Sequence, residues 1–180
     1  AGRYYIFHIF PFTIAELSKT RGLIKAFLKN PLEINKSVGK DIKEKWGMAA
    51  HLSGFPEPYL SGKVTTYRRW SNTYSHQLIR EDIRDILDIK SVTEIETLYL
   101  LLPSKVGSPL SIPSLADDIK VSYNSIRNWL SALERFFLIF SIPTWTGKIS
   151  RAIQKERKVY LWDYPKIKDA SARFENMVAA

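Results

Sequence analysis

The chain has 180 residues, 45% of them hydrophobic, and its 27 lysines and arginines against 18 acidic residues give a formal charge of +9. This composition excludes intrinsic disorder and predicts a globular protein whose basic charge favours polyanionic partners such as nucleic acid or anionic lipid. The absence of cysteine excludes disulfide frameworks and thiolate zinc sites. The sequence shows neither a signal peptide nor an apolar run of bilayer length, so we expect a cytoplasmic protein without a membrane partner.

The N-terminal residues predict a strand followed by a helix. Apolar and aromatic side chains from Tyr4 to Phe10 form a buried-strand pattern, which Pro11 closes. Thr13 then caps a helix, because Glu16 stands three residues later as in a capping box. Together these elements predict a βα step.

The middle of the chain predicts helices interrupted by one loop. The lysine-rich stretch from Lys36 to Lys45 is expected to be helical. The run from His51 to Leu60 contains one glycine and two prolines, which predicts a shaped loop. From Thr66 to Leu87 the apolar side chains recur at helical spacing, so we expect a long or broken helix.

The segment from Ser91 to Trp162 predicts three helices and two strands. Ser91 and Glu94 form a capping-box pattern for a helix from Val92 to Leu102, which a proline then ends. A second, short helix begins near Pro113. This order of elements is typical of a winged helix-turn-helix.

The third helix of this segment carries the most informative pattern. Lys120 and Val121 form the turn before it, and Ser122 is its predicted N-cap. The core positions predicted from helical spacing are Ile126, Leu130, Leu133 and Phe137. Two strands follow, predicted from Leu138 to Ile142 and from Val159 to Trp162.

The polar face of the third helix is the candidate base-facing surface, with the side chains of Asn124, Arg127, Asn128 and Ser131. A helix fits the major groove of DNA, where arginine pairs with guanine and asparagine with adenine. Phosphate contacts are predicted for the basic stretch at the wing, which contains Lys148, Arg151, Lys155, Arg157 and Lys158. The alternative is that both surfaces are simply solvated faces, since many winged helices bind protein instead.

No catalytic or metal site is predicted within these residues. The pairs Gly39-Lys40, Gly62-Lys63 and Gly147-Lys148 lack the spacing and the Ser or Thr of a P-loop. The three histidines are far apart, which gives no zinc-site spacing. There is no cysteine nucleophile and no serine in a GxSxG elbow. We therefore expect no enzyme activity, cofactor or metal in this part of the protein.

Several short blocks of the sequence carry a resemblance to a group of bacterial and archaeal AAA-type ATPases with a C-terminal domain of unknown function. These blocks are Gly2-Arg3, Phe10 to Leu17, Gly54-Phe55-Pro56, Arg80 to Ile83, Val106 to Ser111, Ser114 to Ala116, and Arg173 to Ala179. The resemblance covers nearly the whole chain. It implies a fragment that lacks the P-loop of a longer, oligomer-forming ATPase that uses ATP and Mg²⁺.

The same resemblance implies a division of the chain into four parts. They are the end of an ATPase core at 1–22, a helical lid or linker at 23–90, a winged helix at 91–165, and the first helix of a truncated nuclease-like domain at 166–180. Arg3 is then a candidate nucleotide-sensing residue. Glu175 falls where such a nuclease-like domain often has its first acidic residue, but the later Asp and Lys are absent.

The predicted fold class is mainly α with a small β component, as a helical lid or linker followed by a winged helix-turn-helix. The leading hypothesis is a nucleic-acid-binding module that couples duplex DNA to an upstream ATPase core. The alternative is a protein-interaction module between the ATPase and the C-terminal domain, without DNA contact. Exposure of Trp129 and Tyr123 would favour this alternative, since aromatic side chains are typical interface anchors.

Overall fold

The computed structural model describes residues 5, 9–17, 40–84, 91–143 and 157–180. Within these ranges the chain is mainly helical and carries one two-stranded antiparallel sheet. The predicted fold class is therefore confirmed at the level of a mainly α protein with a small β component. In the described residues, no helix is long and apolar enough to cross a membrane.

The N-terminal segment contains the predicted cap, while residues 4 and 6–8 of the predicted strand lie outside the described residues. Helix α1 spans Ile14–Leu17. The backbone N–H of Thr13 donates to Glu16 Oε2 at 2.9 Å, and the N–H of Glu16 donates to Thr13 Oγ1 at 3.2 Å, which confirms the capping box. The described residues of 4–10 lie outside any strand, and Ile9 is 94% exposed. A strand needs a neighbouring backbone, and the two strands among the described residues pair with each other.

Three helices and a π-helical turn form the next part of the fold. They are α2 (Lys40–Leu52), α3 (Pro56–Ser61), α4 (Val64–Gln77) and the π-helix Leu78–Ile83 that continues α4. The loop predicted over 51–60 is wrong, because Pro56 and Pro58 stand in the first turn of α3, where a helix leaves its N–H groups without intrahelical acceptors. The broken helix expected over 66–87 is confirmed as far as Ile83.

The following helices match the predicted order closely. They are α5 (Val92–Leu101), a 3₁₀ turn (Leu102–Ser104), α6 (Ile112–Ile119) and α7 (Tyr123–Arg135). The capping box predicted at Ser91 is wrong, since its side chain makes no cap hydrogen bond. Its φ of −104° and ψ of 57° lie outside the extended region that an N-cap residue usually adopts.

The sheet consists of β1 (Ile139–Pro143) and β2 (Arg157–Leu161), close to the two predicted strands. Ile139 faces Leu161 and Pro143 faces Arg157 in the antiparallel register. On the other edge of β2, the N–H of Leu110 donates to the carbonyl of Arg157 at 2.9 Å, next to a bridge between Pro109 and Lys158. The segment between α5 and α6 therefore pairs with the outer edge of β2.

The core stripe of α7 differs from the predicted one. Ile126 and Leu133 are fully buried as expected, whereas Leu130 is only half-buried and Phe137 is 38% exposed. The helix ends at Arg135, and Phe137 adopts a left-handed φ of 55°, so helical spacing no longer applies to it. Trp129, which is 7% exposed, packs into the core instead.

The last helix, α8 (Ala170–Ala179), lies against β2. It follows a 3₁₀ turn at Tyr164–Lys166, and Asp169 caps it by accepting from the N–H of Ala172 at 2.8 Å. A helix is thus present within 166–180, where the resemblance implied one. The domain boundaries proposed at residues 22, 90 and 165 stay predictions.

Candidate nucleic-acid interface

Helices α6 and α7 follow each other after a short turn, and each begins at a serine cap. Ser111 accepts from the N–H of Ser114 at 3.4 Å, and Ser122 accepts from the N–H of Ser125 at 3.1 Å. Between the helices, Lys120 adopts the left-handed conformation with a φ of 61°, which is the turn predicted at this position. The N–H of Val121 donates to the carbonyl of Ala116 at 3.0 Å, and this bond closes the turn.

The polar face of α7 lies in solvent, as the sequence predicted. All four candidate base-facing residues, Asn124, Arg127, Asn128 and Ser131, are exposed. The opposite face buries Ile126, Trp129, Ala132 and Leu133. The exposed face is therefore a property of how α7 packs and not only of its composition.

Arg127 is the charged residue of this exposed face. The sequence from Tyr123 to Ser131 contains no other charged side chain. Arg127 makes no ion pair with any residue that the structure describes. Its guanidinium is thus available to an acceptor from a partner molecule.

The aromatic residues of α7 give a mixed result for the interaction hypothesis. Trp129 is buried, so it is not a surface anchor, whereas Tyr123 in the first turn is 50% exposed. The side chain of Tyr123 therefore lies at the edge of the polar face, where a partner could contact it.

Two of the predicted phosphate-binding residues lie on β2. Arg157 at its start is exposed, and Lys158 donates to Glu175 Oε1 of α8 at 2.9 Å. The other predicted phosphate contacts, Lys148, Arg151 and Lys155, lie outside the described residues, as does the candidate nucleotide-sensing Arg3.

Glu175 accepts a second hydrogen bond at the same oxygen. The hydroxyl of Tyr160 donates to Glu175 Oε1 at 2.8 Å. The hydrogen bond from Lys158, followed by that from Tyr160, lowers the pKa of Glu175 below its usual value. Glu175 is therefore an ionised partner of Lys158 near neutral pH.

A buried polar cluster, which the sequence did not predict, lies between α4 and the residues after β2. Asp163, 3% exposed, accepts from the hydroxyl of Tyr67 at 3.1 Å and from Ser71 Oγ at 2.5 Å. Lys166 Nζ lies 3.9 Å from Asp163 Oδ2 and 5.4 Å from the centre of the Tyr99 ring. This cluster, which we call the Asp163 cluster, joins α4 to the segment after β2.

Burial controls the ionisation of the Asp163 cluster. It raises the pKa of Asp163, and the hydrogen bond from Ser71 and the charge of Lys166 oppose that rise. Burial lowers the pKa of Lys166, while the Asp163 carboxylate opposes the change. The spacing of Tyr67, Ser71 and Ser75 along one face of α4 was the available signal for such a cluster, but its acceptor lies 92 residues beyond Ser71.

One comparison with known proteins matches the part of the chain that contains α6, α7 and the sheet. A family model described as a domain of unknown function, DUF8612, matches residues 43–164. The chain belongs to this family. No curated protein and no solved structure matches the sequence. The DUF8612 match begins within α2 and ends at Tyr164, so it includes α6, α7 and the sheet but not α8.

Among the described residues of this DUF8612 protein, the Asp163 cluster belongs neither to a group of metal ligands nor to the lining of the neighbouring cavity. A cavity of about 350 Å³ lies nearby, lined mainly by apolar side chains such as Trp46, Trp162 and Met177, and neither Asp163 nor Lys166 lines it. Across the described ranges, no group of three or more His, Asp or Glu residues is placed to hold a metal ion. The Asp163 cluster joins α4 to the segment after β2, and the exposed face of α7 is the stronger candidate site.

Proposed function

We propose that this DUF8612 protein binds duplex DNA through the exposed face of α7, with β2 and the adjoining wing toward the phosphates. The observation that carries the proposal is the joint exposure of Asn124, Arg127, Asn128 and Ser131 on the second helix of a capped helix-turn-helix. The formal charge of +9 supports a polyanionic partner independently.

The arrangement of helices and strands supports a winged-helix fold. Three helices precede a two-stranded sheet, and the segment at Pro109 and Leu110 pairs with the outer edge of β2. A winged helix places its second and third helices as a helix-turn-helix, whose second helix enters the major groove. In this chain that helix is α7.

The chemistry of the exposed face is suited to base recognition. A guanidinium can donate two hydrogen bonds to guanine O6 and N7, and an asparagine amide can pair with adenine N6 and N7. Arg127 and Asn128 carry these groups on adjacent positions of α7. Arg157, exposed at the start of β2, supplies a cation for the DNA backbone.

From the resemblance to AAA-type ATPases, we further propose that this activity belongs to a larger assembly. DNA binding by α7 would then be coupled to an ATPase core, with ATP and Mg²⁺ as cofactors of that core. A second candidate function is docking onto a neighbouring protein domain without DNA contact. The half-exposed Tyr123 favours it, because tyrosine is enriched among residues that anchor interfaces.

A titration of labelled duplex DNA with the 180-residue chain tests the proposal. The binding constant should fall with rising salt, with a slope of about −0.9 in log K per log salt for each neutralised phosphate. Absence of binding at low salt would contradict the DNA function and leave protein docking as the better account. If Tyr123→Ala binds duplex DNA with wild-type affinity, DNA binding does not depend on the exposed ring of Tyr123.

A further inference from the structure

The most unusual feature of the candidate interface is that one of its cations is already occupied by a carboxylate of the chain. Lys158 and Tyr160 are two residues apart on β2, so their side chains lie on the same face of the strand. Both donate to Glu175 Oε1, at 2.9 and 2.8 Å. Glu175 thus bridges α8 and β2 at the position where a phosphate contact was predicted.

The position of Glu175 is fixed by its neighbour Asn176. Asn176 is fully buried, and its Nδ2 donates to the carbonyl of Leu161 at 2.8 Å. The N–H of Leu161 in turn donates to Asn176 Oδ1 at 2.8 Å. These two bonds imitate strand pairing at the end of β2, so they hold the second half of α8, which includes Glu175, in a fixed register.

The pair is nevertheless open to a competing anion. The side chain of Lys158 is 34% exposed and that of Glu175 is 40% exposed. A DNA phosphate can approach the ammonium from solvent, but the carboxylate neutralises the cation and repels the phosphate. Glu175 lies on α8, outside the residues 43–164 that match DUF8612, whereas Lys158 lies within them.

We propose that α8 restrains DNA binding by holding Lys158 on Glu175, so that a DNA phosphate must displace this carboxylate. The inference rests on the proposed DNA function and adds a regulatory contact to the same surface. Release of Lys158 provides one further phosphate contact, which strengthens binding and makes it more dependent on salt. Any partner that removes α8 from β2 would have the same effect.

The test is a fluorescence titration of a mixed-sequence duplex with the wild-type chain and Glu175→Gln. The amide retains an oxygen for the Tyr160 hydroxyl but loses the charge that holds Lys158. We expect Glu175→Gln to bind about three- to tenfold more tightly at about 0.1 M salt, with a slope steeper by about 0.9. Acylation of Lys158, followed by mass spectrometry without DNA, should also become faster.

Two further variants separate this effect from a general gain of positive charge. Asp41→Asn removes a carboxylate that also pairs with a lysine at 2.8 Å, but on α2, so its effect measures the charge change alone. In the Lys158→Gln background, Glu175→Gln should no longer strengthen binding. If Glu175→Gln acts no more strongly than Asp41→Asn, or if its effect persists without Lys158, the restraint is refuted.

The outcomes also distinguish this inference from the function on which it rests. DNA binding by the wild-type chain with an unchanged Glu175→Gln variant contradicts the restraint alone. Absence of DNA binding by every variant contradicts both the restraint and the DNA function. Binding by Glu175→Gln but not by the wild-type chain supports both.

Discussion

Tyr67 of α4 donates its phenolic hydrogen to Asp163 at 3.1 Å, and this contact joins two residues that are 96 positions apart in the sequence. Both residues are buried, at 8% and 3% exposure. The bond connects the N-terminal helices to the segment that follows the sheet. It therefore fixes α4 against the residues that follow β2.

Loss of this hydrogen bond should destabilise the protein. Tyr67→Phe leaves one oxygen of a buried carboxylate without its donor, so we expect the free energy of unfolding to fall by about 1–3 kcal/mol. Tyr123→Phe is the matched control, because Tyr123 is half-exposed and the same change there should alter stability by less than about 0.5 kcal/mol. Denaturant unfolding of both variants gives the comparison. Equal stability of the two would show that the Asp163 cluster does not stabilise the fold.

Replacement of Trp129 should cost far more stability than replacement of its exposed neighbour Asn128. Trp129→Ala removes a core side chain, for which we expect a loss of about 3–5 kcal/mol in unfolding free energy. Asn128→Ala, at an exposed position of the same helix, should change stability by less than about 0.5 kcal/mol. Thermal unfolding measures both. A Trp129→Ala variant as stable as Asn128→Ala would contradict a core role for the Trp129 side chain.

The amide of Asn176 should control the attachment of α8. Asn176→Ala leaves the buried N–H and carbonyl of Leu161 unpaired, which should cost about 2–4 kcal/mol. Hydrogen exchange at the Leu161 amide should become faster in this variant, because α8 separates from β2 more often. Asn124→Ala, which changes an exposed asparagine, serves as the control and should leave that exchange rate unchanged.

The raised pKa values of three tyrosines should make the free energy of unfolding depend on pH in the alkaline range. Burial and the hydrogen bond to Glu175 raise the pKa of Tyr160 from 10.0 to about 12, and burial also raises the pKa of Tyr67 and Tyr164. The unfolded chain therefore loses its phenolic protons first as the pH rises. Stability should be fully present below pH 10 and fall as the pH rises toward 12. Tyrosinate absorbance and denaturant unfolding across this range measure the effect, and Tyr160→Phe should reduce the slope.

Local patterns in the sequence predicted local structure well. The caps at Thr13 and Ser122 depend on residues three positions away, and both form as predicted. The exposed face of α7 also followed from spacing alone, since Arg127 and Asn128 lie opposite a buried stripe. The order of the helices and the two strands were also predictable, because each of these elements has a local sequence pattern.

The features that the sequence did not predict depend on a backbone turn and on long-range contacts. The spacing of residues along one helix carries no information about either. Phe137 left the predicted core stripe because the chain turns to a positive φ after α7, which helical periodicity cannot express. The bond between Tyr67 and Asp163 joins elements far apart in sequence. The contact of Glu175 with Lys158 depends on how α8 packs on β2, where Asn176 bonds to Leu161.

The most direct test of the DNA-binding proposal is the affinity of Arg127→Ala for duplex DNA. If Arg127 contacts a base, the variant should lose about 1–3 kcal/mol of binding free energy on a preferred sequence, and Arg127→Lys should recover the charge but not the sequence preference. Arg69→Ala, at an exposed arginine of α4, controls for the lost charge. Equal affinity of Arg127→Ala and Arg69→Ala across sequences would contradict base recognition by α7.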